Sequence, residues 1–238
     1  LWTAVADLRR RKDADELEVL TRCMIAGEAG HAWARANVQP GMTELDAYAG
    51  ISAACTLAAG FPVVVYGDFI VSDGPGRRVG LPTNRVLAAG DSLILDFSVV
   101  IHGYRSDFTN TLVVGGSPTE EQQRMYELCI AAMAAGESQL RAGVAALDVY
   151  RAVRGTFDDA GVGKLFPHHA GHGLGLSHPE APYIVEAADD TLVAGDVVTL
   201  EPGLYLDGVG GMRFEHNYFV KDGGFERQRA EGKLDNLA

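Results

Sequence analysis

The sequence predicts an α+β fold of two similar halves, with strands paired in the middle and helices outside. Two repeated runs carry this prediction. The run GMTELDAY, which begins at Gly41, recurs as GVAALDVY from Gly143, and AGDSLILD from Ala89 recurs as AGDVVTLE from Ala194. The two offsets nearly agree, and both halves show the order helix, helix, strand hairpin. Matching offsets and matching element types together indicate an internal duplication.

The first half is predicted to contain two helices followed by strands. Charges at i,i+4 spacing and an apolar stripe indicate the first helix, and Thr43 is a suitable N-cap for the second. A glycine- and proline-rich loop follows the first strand, and His102-Gly103 forms a tight turn between the last two. The predicted elements are helices at about 8–36 and 44–59 and strands at 63–66, 92–101 and 104–114.

The second half is predicted to repeat this order. Ser117 or Thr119 caps its first helix, and Gly161 ends its second. The histidine-rich stretch HHAGHGLGLSHPEAPY then precedes another hairpin, and the polar segment from Lys221 is expected to fray. The elements are helices at about 117–141 and 142–161 and a hairpin over 191–206 and 210–220. Residues 1–238 therefore form a single predicted domain, with halves at about 8–115 and 116–222.

Composition excludes several classes of partner. The formal net charge is −12, which makes nucleic acid and anionic membranes poor partners because both require a basic surface. No apolar run approaches the roughly 20 residues that a membrane span needs. The three cysteines are scattered without metal-binding spacing, which predicts buried thiols in a reducing compartment and a cytoplasmic location.

Acidic residues interrupt the otherwise apolar strands of both hairpins. Pairing around the His102-Gly103 turn places Asp96 opposite Thr109, so that Asp96 and Asp107 are diagonal neighbours on one face. Glu201 and Glu215 lie directly opposite each other if the second hairpin centres on Gly208. Four inward carboxylates would repel one another unless cations lay between them. The alternative is an exposed sheet face on which these acids point to solvent.

His172 adds one imidazole to the four carboxylates. A predominantly oxygen ligand set suits hard or borderline divalent ions such as Mn²⁺, Co²⁺, Fe²⁺ or Zn²⁺, and carboxylates can bridge two of them. Two such ions can share a hydroxide as nucleophile and bind both oxygens of a tetrahedral intermediate. The hairpins and the histidine-rich stretch therefore predict a binuclear metal site.

These residues and their flanks resemble the pita-bread metallopeptidases, which include methionine aminopeptidase, aminopeptidase P, prolidase and the metal-free creatinase. The resemblance rests on DFSVVIHGYRSDFTNT, GHGLGLSHPEAP, LEPGLY and MRFEH and covers nearly the whole chain. It is strongest to the C-terminal catalytic domain of Xaa-Pro peptidase-like members. It implies the pita-bread fold, two Mn, Co, Zn or Fe ions and a homodimer, and it suggests that the N-terminal domain of two-domain relatives is absent.

The resemblance also implies roles for individual residues. Asp96 would bind one metal, Asp107 and Glu215 would bridge both, and His172 and Glu201 would complete one ion's shell. Glu201 would also serve as general base toward the attacking water. Arg213, two residues before Glu215, resembles an arginine that orients site carboxylates or substrate. His168 matches a family histidine near the site, with a surface or supporting role as the alternative.

Two positions depart from the peptidase pattern. Peptidase members have a substrate-contacting histidine where this chain has Val79. A second family histidine falls on Pro179, before Glu180, whereas His178 lies one residue early. A slip of one residue along a strand turns His178 to the other face, and a local bulge returns it to the site.

The resemblance favours a metal-dependent hydrolase that cleaves a C–N bond in a short peptide or another small molecule, with Xaa-Pro peptidase-like activity. The change at Val79 and the loop SDGPGRRVGLPT favour the alternative, a creatinase-like amidinohydrolase or a metal-dependent lyase. A binding module without catalysis is a further alternative, although such domains usually lose the metal ligands and this chain keeps all five.

Overall fold

The structure, a computed structural model, describes residues 2–228. Within this range the structure has five α-helices and eleven strands, and helices precede strands in each half, as predicted. The helices are α1 (Trp2–Arg10), α2 (Ala14–Asn37), α3 (Glu44–Ala59), α4 (Glu120–Glu137) and α5 (Ala146–Asp159). The strands are β1 (Val64–Ser72), β2 (Ser92–Ile101), β3 (Tyr104–Arg105), β4 (Phe108–Val113), β5 (Gly171–Gly173), β6 (Glu180–Ile184), β7 (Val197–Leu200), β8 (Gly203–Leu206), β9 (Gly210–Arg213), β10 (His216–Lys221) and β11 (Gly224–Arg227).

Each half places a pair of helices against antiparallel strands. In the first half, β2 lies between β1 and β4 and also pairs with β3, while α2 and α3 pack on this sheet. In the second half the strand order is β11-β10-β7-β5-β6, β8 and β9 form a separate ribbon, and α4 and α5 cover the strands. This arrangement confirms the predicted α+β pita-bread fold with two pseudo-symmetric halves. No helix within residues 2–228 is both long and apolar enough to cross a membrane.

The two halves meet where β4 lies beside β9 and β10. The Glu215 backbone N–H donates to the Thr109 carbonyl at 3.0 Å. Two residues further along, the Thr111 hydroxyl donates to the Arg213 carbonyl at 3.0 Å and accepts from the Arg213 N–H at 3.0 Å. These bonds hold the acidic residues of one half in fixed positions against those of the other.

The strand registers agree with the predicted placement of the acids. Asp96 pairs with Thr109 in the β2–β4 ladder. Glu201 and Glu215 lie between two ladders of the same register, which pair Gly203 with Arg213 and Leu200 with His216. Glu201 is therefore opposite Glu215, as the Gly208-centred hairpin predicts.

The predicted helix at 8–36 is wrong at its start because Asp13 begins a new helix. The Asp13 side chain accepts from the Glu16 N–H at 3.1 Å, and the Glu16 carboxylate accepts from the Asp13 N–H at 2.9 Å. This capping box favours helix initiation at Ala14, and the extended backbone of Asp13 separates α1 from α2.

Two strand predictions in the first half also differ from the structure. The strand predicted at 63–66 extends to Ser72 because β1 pairs along β2 as far as Ser92. The strand predicted at 104–114 is interrupted before β4. There the Ser106 hydroxyl accepts from the backbone N–H of Val99 at 3.0 Å, and the Asp107 N–H donates to the Asn217 side chain of the other half at 3.1 Å.

In the second half, Thr119 is the N-cap of α4, as predicted, but that helix ends at Glu137. The next helix starts later than predicted because Gly143 has a φ of +86° and the chain is still in a turn there. The predicted fraying from Lys221 is wrong as far as Arg227, since β11 pairs with β10. The remainder of that predicted segment, 229–238, lies outside the described residues.

Candidate metal centre

Three buried or partly buried carboxylates from both halves converge between the sheets. Asp96 lies on β2, Asp107 precedes β4, and Glu215 lies between β9 and β10. One carboxylate oxygen of each falls within 4.8 Å of the others. The hairpins therefore bring together the acids that the sequence singles out, at a spacing that a divalent ion can bridge.

His172 faces this cluster from β5. Its Nδ1 lies 3.0 Å from the Gly173 carbonyl, which assigns the proton to Nδ1 and leaves Nε2 free to act as a ligand. Nε2 lies 3.6 Å from Asp107 Oδ2 and 3.5 Å from Glu201 Oε1. Gly171 permits this position because a Cβ there would lie 2.0 Å from the Thr199 carbonyl oxygen of β7.

The electrostatics of the cluster fit a site for divalent cations. Glu215 is 2% exposed, and although Thr109 donates to its Oε2 at 2.8 Å, its Oε1 has no hydrogen-bond partner among the described residues. Burial and the neighbouring carboxylates raise the pKa of Glu215 well above its usual range. Burial likewise raises the pKa of Asp96 to about 7, although Arg213 opposes the shift. Bound divalent ions would supply the positive charge that offsets the mutual repulsion of these carboxylates.

Arg213 connects two carboxylates at the edge of the cluster. Its Nη2 donates to Asp68 Oδ2 at 2.9 Å and to Asp96 Oδ2 at 2.5 Å, and its Nη1 donates to the Tyr205 hydroxyl at 2.8 Å. Asp68 was not predicted as a site residue. The signal was an acid in an apolar strand, and it pairs directly with Asp96 across β1 and β2.

We expect Arg213→Met to lower the free energy of unfolding by about 3–5 kcal/mol, because it leaves Asp68 and Asp96 without their shared cation. Arg213→Lys keeps the positive charge but lacks the planar guanidinium that donates to several acceptors at once. Its loss of unfolding free energy should therefore be smaller. Urea unfolding of both variants measures this difference. Equal losses would show that the positive charge alone does not stabilise the pair and that the guanidinium geometry is required.

The structure also places His168 and His178 at the cluster. The β5–β6 ladder shifts register by two residues between His172, which pairs with Tyr183, and Gly173, which pairs with Glu180. His178 precedes β6, and its Nε2 lies 2.6 Å from Asp107 Oδ2. His168 is held behind the cluster, with its Nε2 3.2 Å from the Tyr205 hydroxyl, and burial lowers its pKa to about 4.

One further histidine was not predicted as a site residue. His169 Nε2 lies 2.7 Å from Glu201 Oε1, and the side chain is 40% exposed. The sequence offered only its membership in the histidine-rich stretch as a signal.

The cluster opens into a cleft of about 350 Å³. Arg78, Val79, Pro179 and Tyr205 line the cleft beside the acids and histidines. Val79 is 65% exposed and therefore presents an apolar surface where the family resemblance predicts a histidine. The volume suits a small ligand.

Fold and site together define a metallopeptidase-type scaffold with one centre between two related halves. The chain belongs to metallopeptidase family M24, whose pattern matches residues 18–222. It is 36% identical over 164 residues to an uncharacterized peptidase of Staphylococcus haemolyticus, covering 69% of this chain and 45% of the relative. It is 30% identical over 227 residues to a Xaa-Pro dipeptidase of Pyrococcus furiosus, covering 94% and 64%.

Solved structures give the same result. A Xaa-Pro dipeptidase from Bacillus anthracis superposes with a TM-score of 0.88 at 29% identity, covering 96% of this chain and 64% of that one. Dipeptidase PepE from Mycobacterium ulcerans superposes with a TM-score of 0.87 at 32% identity, covering 97% and 62%. The match spans about half the length of the staphylococcal relatives and less than two thirds of these dipeptidases.

Proposed function

We propose that this chain is a binuclear metal-dependent hydrolase that cleaves short peptides with Xaa-Pro dipeptidase-like specificity. The observation that carries the proposal is the convergence of five ligand-type side chains from both halves on one cleft. The residues that would hold the ions are Asp96, Asp107, His172, Glu201 and Glu215. Similarity to Xaa-Pro dipeptidases supports the substrate class.

Two divalent ions at these residues would polarise the substrate as Lewis acids and activate a water molecule. Glu201 is the proposed general base. Burial opposes its ionisation, but the neighbouring imidazoles of His169, His172 and His168 lower its pKa to about 2 and keep it ionised, the state that a metal ligand requires. Arg213 holds Asp96 in place as a positioning residue, and His178 and His168 are proposed to contact the substrate.

We further propose the metal ions, the domain organisation, the oligomeric state and the location of this protein. Mn, Co, Zn and Fe are the candidate metals, since the ligands are mainly oxygen. The two halves, at about 8–115 and 116–222, act as one catalytic domain, and the active form is a homodimer. A cytoplasmic location is supported by the free, buried thiols of Cys23, Cys55 and Cys129.

Val79 is the observation that favours a second candidate. Without the expected histidine, the scaffold suits a creatinase-like amidinohydrolase or a lyase that acts on a small molecule. Similarity to named dipeptidases favours peptide hydrolysis over this alternative.

We expect metal-loaded protein to contain close to two transition ions per chain by elemental analysis and to hydrolyse Xaa-Pro dipeptides with added Mn²⁺ or Co²⁺. Chelation should abolish turnover. The substrates tested should also include Xaa-Ala dipeptides, peptides with N-terminal Met, and creatine. Two bound ions without cleavage of any peptide would contradict peptidase activity but not the metal site, whereas metal-free protein that resists loading would contradict both.

A further inference from the structure

His169 lies within ligand distance of the proposed metal centre although it is outside the five-residue set. Its Nε2 is 2.7 Å from Glu201 Oε1, and its ring centroid is 5.6 Å from that of His172. One ligand atom from each of these three residues falls within 4.8 Å of the other two. A single cation can therefore contact all three side chains.

The adjacent histidine, His168, differs from His169 in having no ring nitrogen available for a metal ion. His168 has both ring nitrogens engaged, Nδ1 with the His169 carbonyl at 2.8 Å and Nε2 with the Tyr205 hydroxyl at 3.2 Å. Its imidazole therefore has no free nitrogen to offer a metal. The His169 ring instead directs its Nε2 toward Glu201 and lines the cleft.

We propose that His169 is an additional ligand of the ion held by His172 and Glu201, which gives that ion two imidazole nitrogens. Imidazole favours Co²⁺ and Zn²⁺, whereas carboxylate and water suit Mn²⁺. A second nitrogen therefore biases this half of the centre toward the borderline ions. The proposal rests on the metal centre proposed above but not on the peptide substrate.

A different role for His169 predicts the opposite result. If His169 is only a protonated counter-ion of Glu201, it competes with metal ions for the same carboxylate. Its removal would then leave the affinities unchanged or increase them, and to a similar degree for every divalent ion. The direction of the change in metal affinity, and its dependence on the metal ion, therefore distinguish a metal ligand from a counter-ion of Glu201.

The test compares the wild-type chain with His169→Asn, and His168→Asn is the matched control. Binding of Co²⁺ and Mn²⁺ to each metal-free protein is measured by calorimetry, and bound Co²⁺ is followed by its d–d absorption. We expect His169→Asn to weaken Co²⁺ binding at one site by roughly 10- to 100-fold, with a much smaller effect on Mn²⁺. The Co²⁺ spectrum should also change, whereas His168→Asn should alter neither quantity substantially. Circular dichroism of each variant checks folding.

Unchanged or tighter Co²⁺ binding by His169→Asn, with an unaltered spectrum, would overturn the proposal. Equal weakening of Co²⁺ and Mn²⁺ would overturn the bias toward borderline ions. Failure of the wild-type chain itself to bind either ion would contradict the metal centre, a result distinct from these. None of the measurements depends on turnover, so an absence of peptidase activity leaves the test intact.

Discussion

Glu215→Gln is expected to stabilise the metal-free protein and to remove the stabilisation that metal ions confer. Glutamine keeps an oxygen for the hydroxyl of Thr109 but carries no charge. It therefore removes the cost of burying a charge and the repulsion from the carboxylates of Asp107 and Asp96, which together raise the pKa of Glu215. A group whose pKa is raised by folding destabilises the folded state above its unfolded-state pKa, and glutamine lacks that penalty.

The effect of metal should have the opposite sign. Saturation of the wild-type protein at about 100 times Kd adds about 2.7 kcal/mol, which for a chain of this size raises Tm by about 5–11 °C. In Glu215→Gln this increase should disappear, and turnover should fall by at least about 10- to 100-fold, the loss that follows removal of even an outer-shell partner of a metal ligand. Thermal unfolding with chelator and with Mn²⁺ measures the change in Tm, and steady-state hydrolysis of a Xaa-Pro dipeptide measures turnover.

Glu186→Gln is the matched control because it makes the same chemical change at an exposed position. It should shift neither the metal-free Tm nor the response to metal. A lower metal-free Tm for Glu215→Gln would show that Glu215 stabilises the fold through interactions other than metal binding. A full response to metal in that variant would exclude Glu215 as a ligand.

The parts of the centre that the sequence predicts are those set by local register. The two-residue period of a strand and the position of the hairpin turn place Asp96 opposite Thr109. The same two features place Glu201 opposite Glu215. Asp68 could not be placed, because its proximity to Asp96 depends on how far β1 pairs along β2. The length of β1 depends on its pairing with β2, and the glycine- and proline-rich composition after the predicted strand gives no sign of that pairing.

The histidines show a second limit of local patterns. His178 lies just before β6 and contacts Asp107, while the β5–β6 ladder shifts register by two residues, an irregularity that leaves almost no mark on composition. His169 belongs to a stretch without periodicity, so its direction depends on how β5 lies against β7 rather than on its neighbours. Sequence reasoning therefore identified the histidine-rich stretch without assigning a direction to each ring.

Glu44→Gln is expected to lower the free energy of unfolding by about 3–5 kcal/mol, because it breaks a buried ion pair and leaves Arg77 without its partner. Glu44 is fully buried at the start of α3. Its carboxylate accepts from both terminal nitrogens of Arg77, at 2.7 and 2.9 Å, from the Thr83 hydroxyl at 2.7 Å, and from the backbone N–H groups of Val71 and Thr83.

These bonds also connect stability to the site. They fasten both ends of the loop that carries Arg78 and Val79 along the cleft. A loosened loop should therefore raise KM for a small substrate more than it lowers kcat, since the ligands lie on other elements. Urea unfolding and steady-state kinetics of the same variant measure the two effects.

Glu120→Gln is the matched control, because Glu120 is likewise the first residue of its helix, α4, but is exposed. Both substitutions remove a negative charge from a helix N-terminus, which is worth about 0.3–1 kcal/mol. Any further loss of unfolding free energy in Glu44→Gln therefore comes from the hydrogen bonds with Arg77, Thr83 and Val71. If the two variants lost equal stability, the five hydrogen bonds would contribute nothing beyond the helix dipole. The loop beside the cleft would then have to be held by its backbone contacts alone, such as the bond from the Phe69 N–H to the Gly80 carbonyl.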